Sequence, residues 1–476
     1  MRFLNNVGQK SSVELVKMMA TIPNSATTLD LSVNELGQKS ATELAEIITA
    51  IPKTITTLDL SVNGLGQKSV TELVQILAAI SKTITSLDLS RNGLGQKSVA
   101  ELVQIMAAIP NSVTNLNLGW AEFSQKSVAE LVQIMAAIPN SVTSLNLSWN
   151  QLGQKSSAEL VEIIAAIPKT ITTLDLSEYG LGQKSGTELA QMLAAIPNSV
   201  TSLNLSWAEF SQKSVAELIQ IMAAIPNSVT SLNLSWNQLS QKSSAELAEI
   251  MAAIPNRVTS LNLGFNNLGE KSSAELAEIM AAIPKNITTL DLSTNDLSQK
   301  SGAELGQIMA AIPNSVTSLN LGFNNLGEKS SAELAEIIAT IPKTVRSINL
   351  SENDLFYNKT SLERDRLLQV LSPFNKYGRL NLNNNGESDF ARALTTDLPS
   401  YLTNVLSRDV ANYIFSFFTP GKSIQAVNQR LDNHSIFIKT LKEKQKKYFI
   451  SQVTNNKDIN VEEENDKKKY RSNVPR

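Results

Sequence analysis

Val142-Thr-Ser-Leu-Asn-Leu-Ser-Trp-Asn-Gln-Leu-Gly-Gln-Lys-Ser-Ser-Ala-Glu-Leu-Val-Glu-Ile-Ile-Ala-Ala-Ile-Pro168 holds one strand and one helix. Val142, Leu145 and Leu147 point inward, while Ser144, Asn146 and Ser148 take the other side, as a period of two requires. The helix opens at Ser156, which with Glu159 forms an S-x-x-E capping box that satisfies two orphan amides. Leu160, Ile163, Ile164 and Ile167 supply an apolar stripe, and Pro168 is expected to end the helix. A unit this small cannot bury both its strand face and its helix stripe, so it must stack on others.

The rest of the chain provides them. Working outward from Leu145, the same pattern starts at Leu29, Leu58, Leu87, Leu116, Leu174, Leu203, Leu232, Leu261, Leu290, Leu319 and Ile348, every 29 residues without a break. A looser copy, Leu380 to Asn385, follows after 32. The capping box recurs from Ser11/Glu14 to Ser330/Glu333. Stacked strands lie about 4.7–4.9 Å apart and helices need more room, so the stack curves with its sheet inside. The pattern LxxLxLSxN-x-L followed by a helix resembles the leucine-rich repeat, in the long helical subclass typified by ribonuclease inhibitor. The resemblance covers Val7 to Asn385 and implies an α/β horseshoe solenoid with a parallel concave sheet and convex helices.

Two features depart from a uniform array. Asn5 aligns with Asn34, so the first unit lacks its strand: either that end is exposed or the true start lies upstream. Trp120-Ala-Glu-Phe123 returns as Trp207-Ala-Glu-Phe210, 87 residues or three units later, which points to duplication.

Composition removes whole classes of chemistry. The 476 residues include no cysteine and a single histidine, His434. A Cys or Ser/His nucleophilic pair, a Cys/His zinc site and a structural disulfide are thereby set aside. Met1 to Lys10 is polar and lacks the apolar core of a signal peptide, and no apolar run has membrane-spanning length. Hydrophobic residues at 42% and charged residues at 18% describe a chain that folds. The net charge of −2 divides into +7 from Phe356 onward and −9 before it. An acidic body discourages nucleic-acid binding.

On a solenoid the framework repeats and the functional positions vary. The strand-end Asn (Asn34, Asn63, Asn92, Asn150 and equivalents) is expected to bond loop backbone in a stacked ladder. Ala121, Tyr179 and Ala208 replace it in three units, so the exits beside Trp120 and Trp207 are expected to be locally re-shaped. The position just before that Asn runs Val33, Val62, Arg91, Trp120, Trp149, Glu178, Trp207, Trp236, Phe265, Thr294, Phe323, Glu352. All four tryptophans share this phase, and two consecutive pairs stand on neighbouring strands, close enough to stack. Exposed aromatics with Arg nearby have the composition of interface hot spots. The expected partner-binding set is Arg91, Trp120, Trp149, Glu178, Tyr179, Trp207, Trp236, Phe265 and Phe323, with Arg91 and Glu178 as charged selectors. The alternative is that the rings only cover their own loops. The Asp residues at the fifth strand position (Asp30, Asp59, Asp88, Asp175, Asp291) read as a hydrated polar lining rather than a metal site. No metal, cofactor or catalytic residue is expected.

After Asn385 the composition changes. Residues 386–397 read as a linker, 398–450 as a small all-α domain and 451–476 as a charged, disordered tail. The stretch from Leu406 to Pro420 resembles an F-box, with Ser407 in place of the usual Pro. The resemblance implies that Leu406, Val410, Ile414, Phe417, Phe418 and Pro420 dock the Skp adaptor of a cullin ubiquitin ligase; a helical cap closing the last repeat is the alternative. Glu462, Glu463 and Glu464 in the tail look like the translocation signals of type IVB (Dot/Icm-type) secreted effectors. The LGQKS loops and IPxxVTSL joints are similar to the leucine-rich-repeat effectors of those bacteria. The resulting expectation is a non-enzymatic protein-binding module, secreted by a bacterium into a host cell cytosol and holding a host protein on its concave face. The alternatives are an F-box-like substrate adaptor and, by fold analogy with the Ran GTPase-activating protein, a regulator of a small GTPase.

Overall fold

Each strand is only three residues long, so its stability comes from its neighbours on either side. In the computed structural model, which describes residues 9–178, 180–357, 359–375, 380–383 and 385, thirteen strands join one sheet in strict chain order. All pairs are parallel and in register at the repeat: Leu116 lies opposite Leu145, which lies opposite Leu174. Helices cover one face and never interrupt the order, giving the open α/β solenoid. The described residues belong to a unit running from Met1 to Ala391. The expected linker at 386–397, helical domain at 398–450, tail at 451–476 and strandless start at Asn5 lie outside the described residues. Among the described residues no helix is long and apolar enough to cross a membrane.

The inward residues form one continuous core. Val142, Leu145, Leu147, Leu160, Ile163, Ile164 and Ile167 are all buried, and the set recurs along the array, for instance as Val229, Leu232, Leu234, Leu247, Ile250, Met251 and Ile254. Ser148 is buried as well, because the strand spans only Ser144–Asn146 and the chain turns before Ser148 can face solvent. The helix runs Ser157–Ala165, so Ser156 is its cap and the end falls before Pro168. Proline does not set that end. In the unit carrying Ser81 at this phase, the helix Val70–Ala78 stops at the same place. There the amide of Ile80 turns back to the carbonyl of Leu77 and the side chain enters the core. The last repeat absorbs its three extra residues in a longer helix, Ser361–Asn375, and its strand Leu380–Asn381 pairs with Ile348 and Asn349.

Each helix start is closed reciprocally. The amide of Ser214 donates to Glu217 at 2.9 Å while the Glu217 amide donates to the Ser214 hydroxyl at 3.3 Å. Thr360 and Glu363 form a further box that the S-x-x-E pattern does not cover. These hydrogen bonds, those from the serine backbone foremost, hold the capping carboxyls below the ordinary range, as at Glu14, Glu43, Glu72, Glu130 and Glu246. Glu217 falls to about 2, aided by the amide of Gly186 in the preceding unit.

The ladder is the second framework. Asn266 Oδ1 accepts the amides of Asn237 and Leu239 from the preceding unit at 3.0 and 3.3 Å. Its Nδ2 donates to the carbonyls of Leu234, Leu263 and Gly264. The same pattern links Asn237 through Asn353 to Asn385. Ala121 and Ala208 interrupt it, and only in those two units does Phe (Phe123, Phe210) replace the buried Leu two residues on.

Two outcomes follow from these frameworks. Asn266→Ala should lower stability in urea by about 2–4 kcal/mol, because it leaves buried backbone groups unpaired. Adding Leu268→Phe should recover part of that loss, although alone it should overpack by about 1–3 kcal/mol. A double-mutant cycle checks both. The depressed capping carboxyls contribute stability that is present above their ordinary value near 4.5 and lost as pH falls through their folded values. The urea midpoint should therefore hold from pH 7 to about 5 and then fall, and Glu217→Gln should flatten part of the fall toward about pH 2.

Candidate interaction surface

The strand exit is a short series of fixed backbone contacts. Asn146 Oδ1 accepts the amide of Ser148 at 2.8 Å, as Asp59 Oδ1 does for Ser61. The next amide, that of Trp149, donates to the carbonyl of Ser177 in the following unit. The residue after it enters the ladder. Pinned on both sides, the residue between adopts a left-handed backbone in all twelve units from Val33 to Glu352, with φ between 49° and 60°.

A second left-handed position follows two residues later, and there seven of the twelve occupants make the usual accommodation, Gly64, Gly93, Gly180, Asn267, Asn325, Asp296 and Asp354, while Glu35, Glu122, Gln151, Glu209 and Gln238 do not. The first position never holds Gly, Asn or Asp. It holds Trp, Phe, Val, Thr, Arg or Glu, at about 1–2 kcal/mol each relative to the relaxed conformation. Side chains retained against such strain point to function.

Several of these side chains meet. Trp120 stacks on Trp149 with centroids 4.9 Å apart and planes 16° from parallel. Trp207 stacks on Trp236 at 4.5 Å, and Trp236 on Phe265 at 3.8 Å. Arg91 lays its guanidinium over Trp120, 4.7 Å from the centroid. Stacking leaves the ring edges to solvent: the four tryptophans remain 37–41% exposed. Phe323 is 52% exposed and stands beyond Thr294, outside both stacks.

The expected stacking of neighbouring tryptophans is present, and Phe265 lengthens the second stack to three rings. Arg91 is not free-standing, since it caps the first stack. Glu178 lies half-buried between the stacks, its carboxyl raised by burial and then by the nearby Glu209. Glu209, at the second left-handed position, is not singled out by the sequence pattern because it belongs to a different phase. The expected re-shaping of the exits beside Ala121 and Ala208 does not occur. Trp120 and Trp207 keep φ of 52° and 55°, because the Asx bond and the inter-unit amide hold the turn without the ladder Asn. Tyr179 lies outside the described residues, as do Leu406, Val410, Ile414, Phe417, Phe418, Pro420 and Glu462, Glu463 and Glu464.

The Asp row does turn-closing work on the open face. Asp30, Asp59 and Asp88 stand in register beside a shallow hollow of ≈ 460 Å³. Burial first, then its two acidic neighbours, push the Asp59 carboxyl up. Among the described residues no group of side chains is arranged to hold a metal ion.

The profile described as Leucine Rich repeat matches residues 81–103, 139–155 and 226–242. A solved structure of a leucine-rich repeat-containing protein, LegL7 from Legionella pneumophila, is similar with 40% identity and a TM-score of 0.59, over 65% of this chain and 97% of that one. The chain belongs to the leucine-rich repeat family. A second similar structure, the Rad7 and Elc1 complex in yeast, has 13% identity and a TM-score of 0.41, over 73% of this chain and 89% of that one. No curated protein matches.

Within this leucine-rich repeat the strained position can be tested where no ring occupies it. The Thr294 hydroxyl is buried without a hydrogen-bond partner among the described residues, and φ there is 54°. Thr294→Gly should stabilise the chain by about 1 kcal/mol, since relief of the left-handed cost exceeds the added unfolded-state entropy. Thermal unfolding checks it; a lower midpoint would show that the side chain makes a contact outweighing its strain.

Proposed function

We propose that this chain is a non-enzymatic binding protein that holds a protein partner against the strand-exit stripe of its sheet. The observation that carries the reading is the exit position itself: none of its twelve left-handed occupants is Gly, Asn or Asp, whereas seven of the twelve at the second left-handed position are, and the four tryptophans and Phe323 stay exposed despite the strain. Leucine-rich repeats are typically binding modules, and flat exposed aromatics give the partner area at low entropic cost. The partner-binding residues are Arg91, Trp120, Trp149, Glu178, Tyr179, Trp207, Trp236, Phe265 and Phe323. The similarity to a Legionella pneumophila protein supports a bacterial effector acting on a host protein in the host cytosol. The Glu462–Glu464 cluster supports the same reading from sequence.

The test is affinity capture from eukaryotic cell lysate with full-length bait, comparing the natural chain with Trp120→Ala/Trp207→Ala. A partner that binds through the stripe should lose at least about 30-fold in affinity, the scale of a hot-spot pair. A partner held equally by both baits would place binding elsewhere. Recovery of the Skp adaptor with a cullin, lost in Phe417→Ala/Phe418→Ala but not in the tryptophan variant, would instead favour the F-box-like adaptor reading and a helical domain at 398–450.

A further inference from the structure

The two aromatic stacks end face to face across a single unit. Trp149 closes the first, Trp207 opens the second, and Glu178 occupies the phase between them. Within each stack the planes are nearly parallel and the centroids 3.8–4.9 Å apart, so stacking runs from strand to strand. The outer face of each terminal ring is therefore turned toward the rung that Glu178 occupies. Two strand spacings put those rings about 9.5 Å apart, and a group held midway lies about 4.8 Å from each. That is within the ~6 Å over which a cation is attracted to a ring face. The molecule already uses this mode at the far end of the first stack, where Arg91 sits 4.7 Å over Trp120.

The foot of the gap is acidic. Glu178 is half-buried, and burial first, then the neighbouring Glu209, raises its carboxyl. Among the described residues the ion pairs are Lys68–Glu72, Lys126–Glu130 and Lys184–Glu188, and none reaches Glu178 or Glu209. Two apolar faces thus flank a negative charge that no basic group of the described chain neutralises.

We infer that the gap between Trp149 and Trp207 is a notch for a cationic side chain of the protein partner, held between two indole faces with Glu178 as its counter-ion. This rests on the stripe being the binding surface and names the chemistry it selects. The width ranks the cations. A flat guanidinium at van der Waals distance from one ring, ~3.5–4 Å, stands off the other, whereas a rounded quaternary ammonium touches both. A bare lysine ammonium is more strongly hydrated and gives up more on entering. Trimethyl-lysine fills the notch best, then arginine, then lysine.

The experiment titrates the full chain with the peptides Gly-Ser-X-Ser-Gly, where X is trimethyl-lysine, arginine, lysine or glutamine, following tryptophan emission. A saturable change is expected with the three cations in that order and none with glutamine. Glu178→Gln and Trp207→Ala should each weaken the trimethyl-lysine peptide at least tenfold, while Val13→Ala, exposed on the helix Ser12–Met19 and outside the binding set, should leave it unchanged. Circular dichroism of each variant confirms that it is folded. An equal response to glutamine, or binding indifferent to Glu178→Gln, overturns the notch. A captured partner that is lost with Trp120→Ala/Trp207→Ala yet indifferent to Glu178→Gln overturns the notch and leaves the stripe; peptide binding with the expected variants, beside a partner indifferent to the tryptophans, overturns the stripe alone.

Discussion

Every repeat must turn out of its strand within three residues and deliver an amide to the next unit, and the left-handed exit is how it does so. The strand ends on an Asp or Asn whose oxygen takes the amide two residues on, as Asn146 does for Ser148. The following amide crosses to the neighbouring unit, Trp149 to Ser177. Between these two bonds only a positive φ closes the turn. That geometry fixes the Cα of the exit residue on the same rung as its neighbours, so side chains there are spaced by the sheet itself. Flat rings at strand spacing have little choice but to stack.

The ladder and the stripe are linked through the same turn but are not equally necessary to it. Trp120 and Trp207 keep the exit geometry of the other units although Ala121 and Ala208 lack the ladder amide. Loss of the Asn removes a polar group from a buried site, and Phe123 and Phe210 accompany that loss with larger apolar side chains at the core. The turn is held by backbone; the ladder adds coupling between units. Where the ladder is interrupted, coupling relies more on the core and on the stacks above it.

The fold was legible because it depends on spacing. Twelve strand starts at one interval, a capping box in each unit and alternating leucines leave a stacked parallel sheet as the economical way to bury both faces. Pro168 reads as a helix stop, yet the helix preceding Ser81 ends at the same phase, so burial of the following Ile is the constraint. The site was half legible. Tryptophans in one phase predict neighbouring rings, but nothing in a one-dimensional pattern says that the phase is left-handed. Nor does it say that Glu209, from another phase, shares an electrostatic environment with Glu178. Those facts depend on turn geometry and on contacts between units.

Strain bears on the two meanings the stripe could have. If the rings served only to cover their own loops, relaxing the backbone with Gly, Asn or Asp would remove a cost at each exit, and at least some of the twelve would carry one. The neighbouring left-handed position makes that substitution in seven of its twelve units, at Gly64, Gly93 and Gly180 among others, and holds Glu or Gln in the other five. Duplication alone does not account for the difference, because both positions were copied together within the same units. The two positions therefore differ in what they hold: Gly, Asn and Asp are absent from all twelve exits, and the side chain there varies from unit to unit, as the proposed binding surface requires.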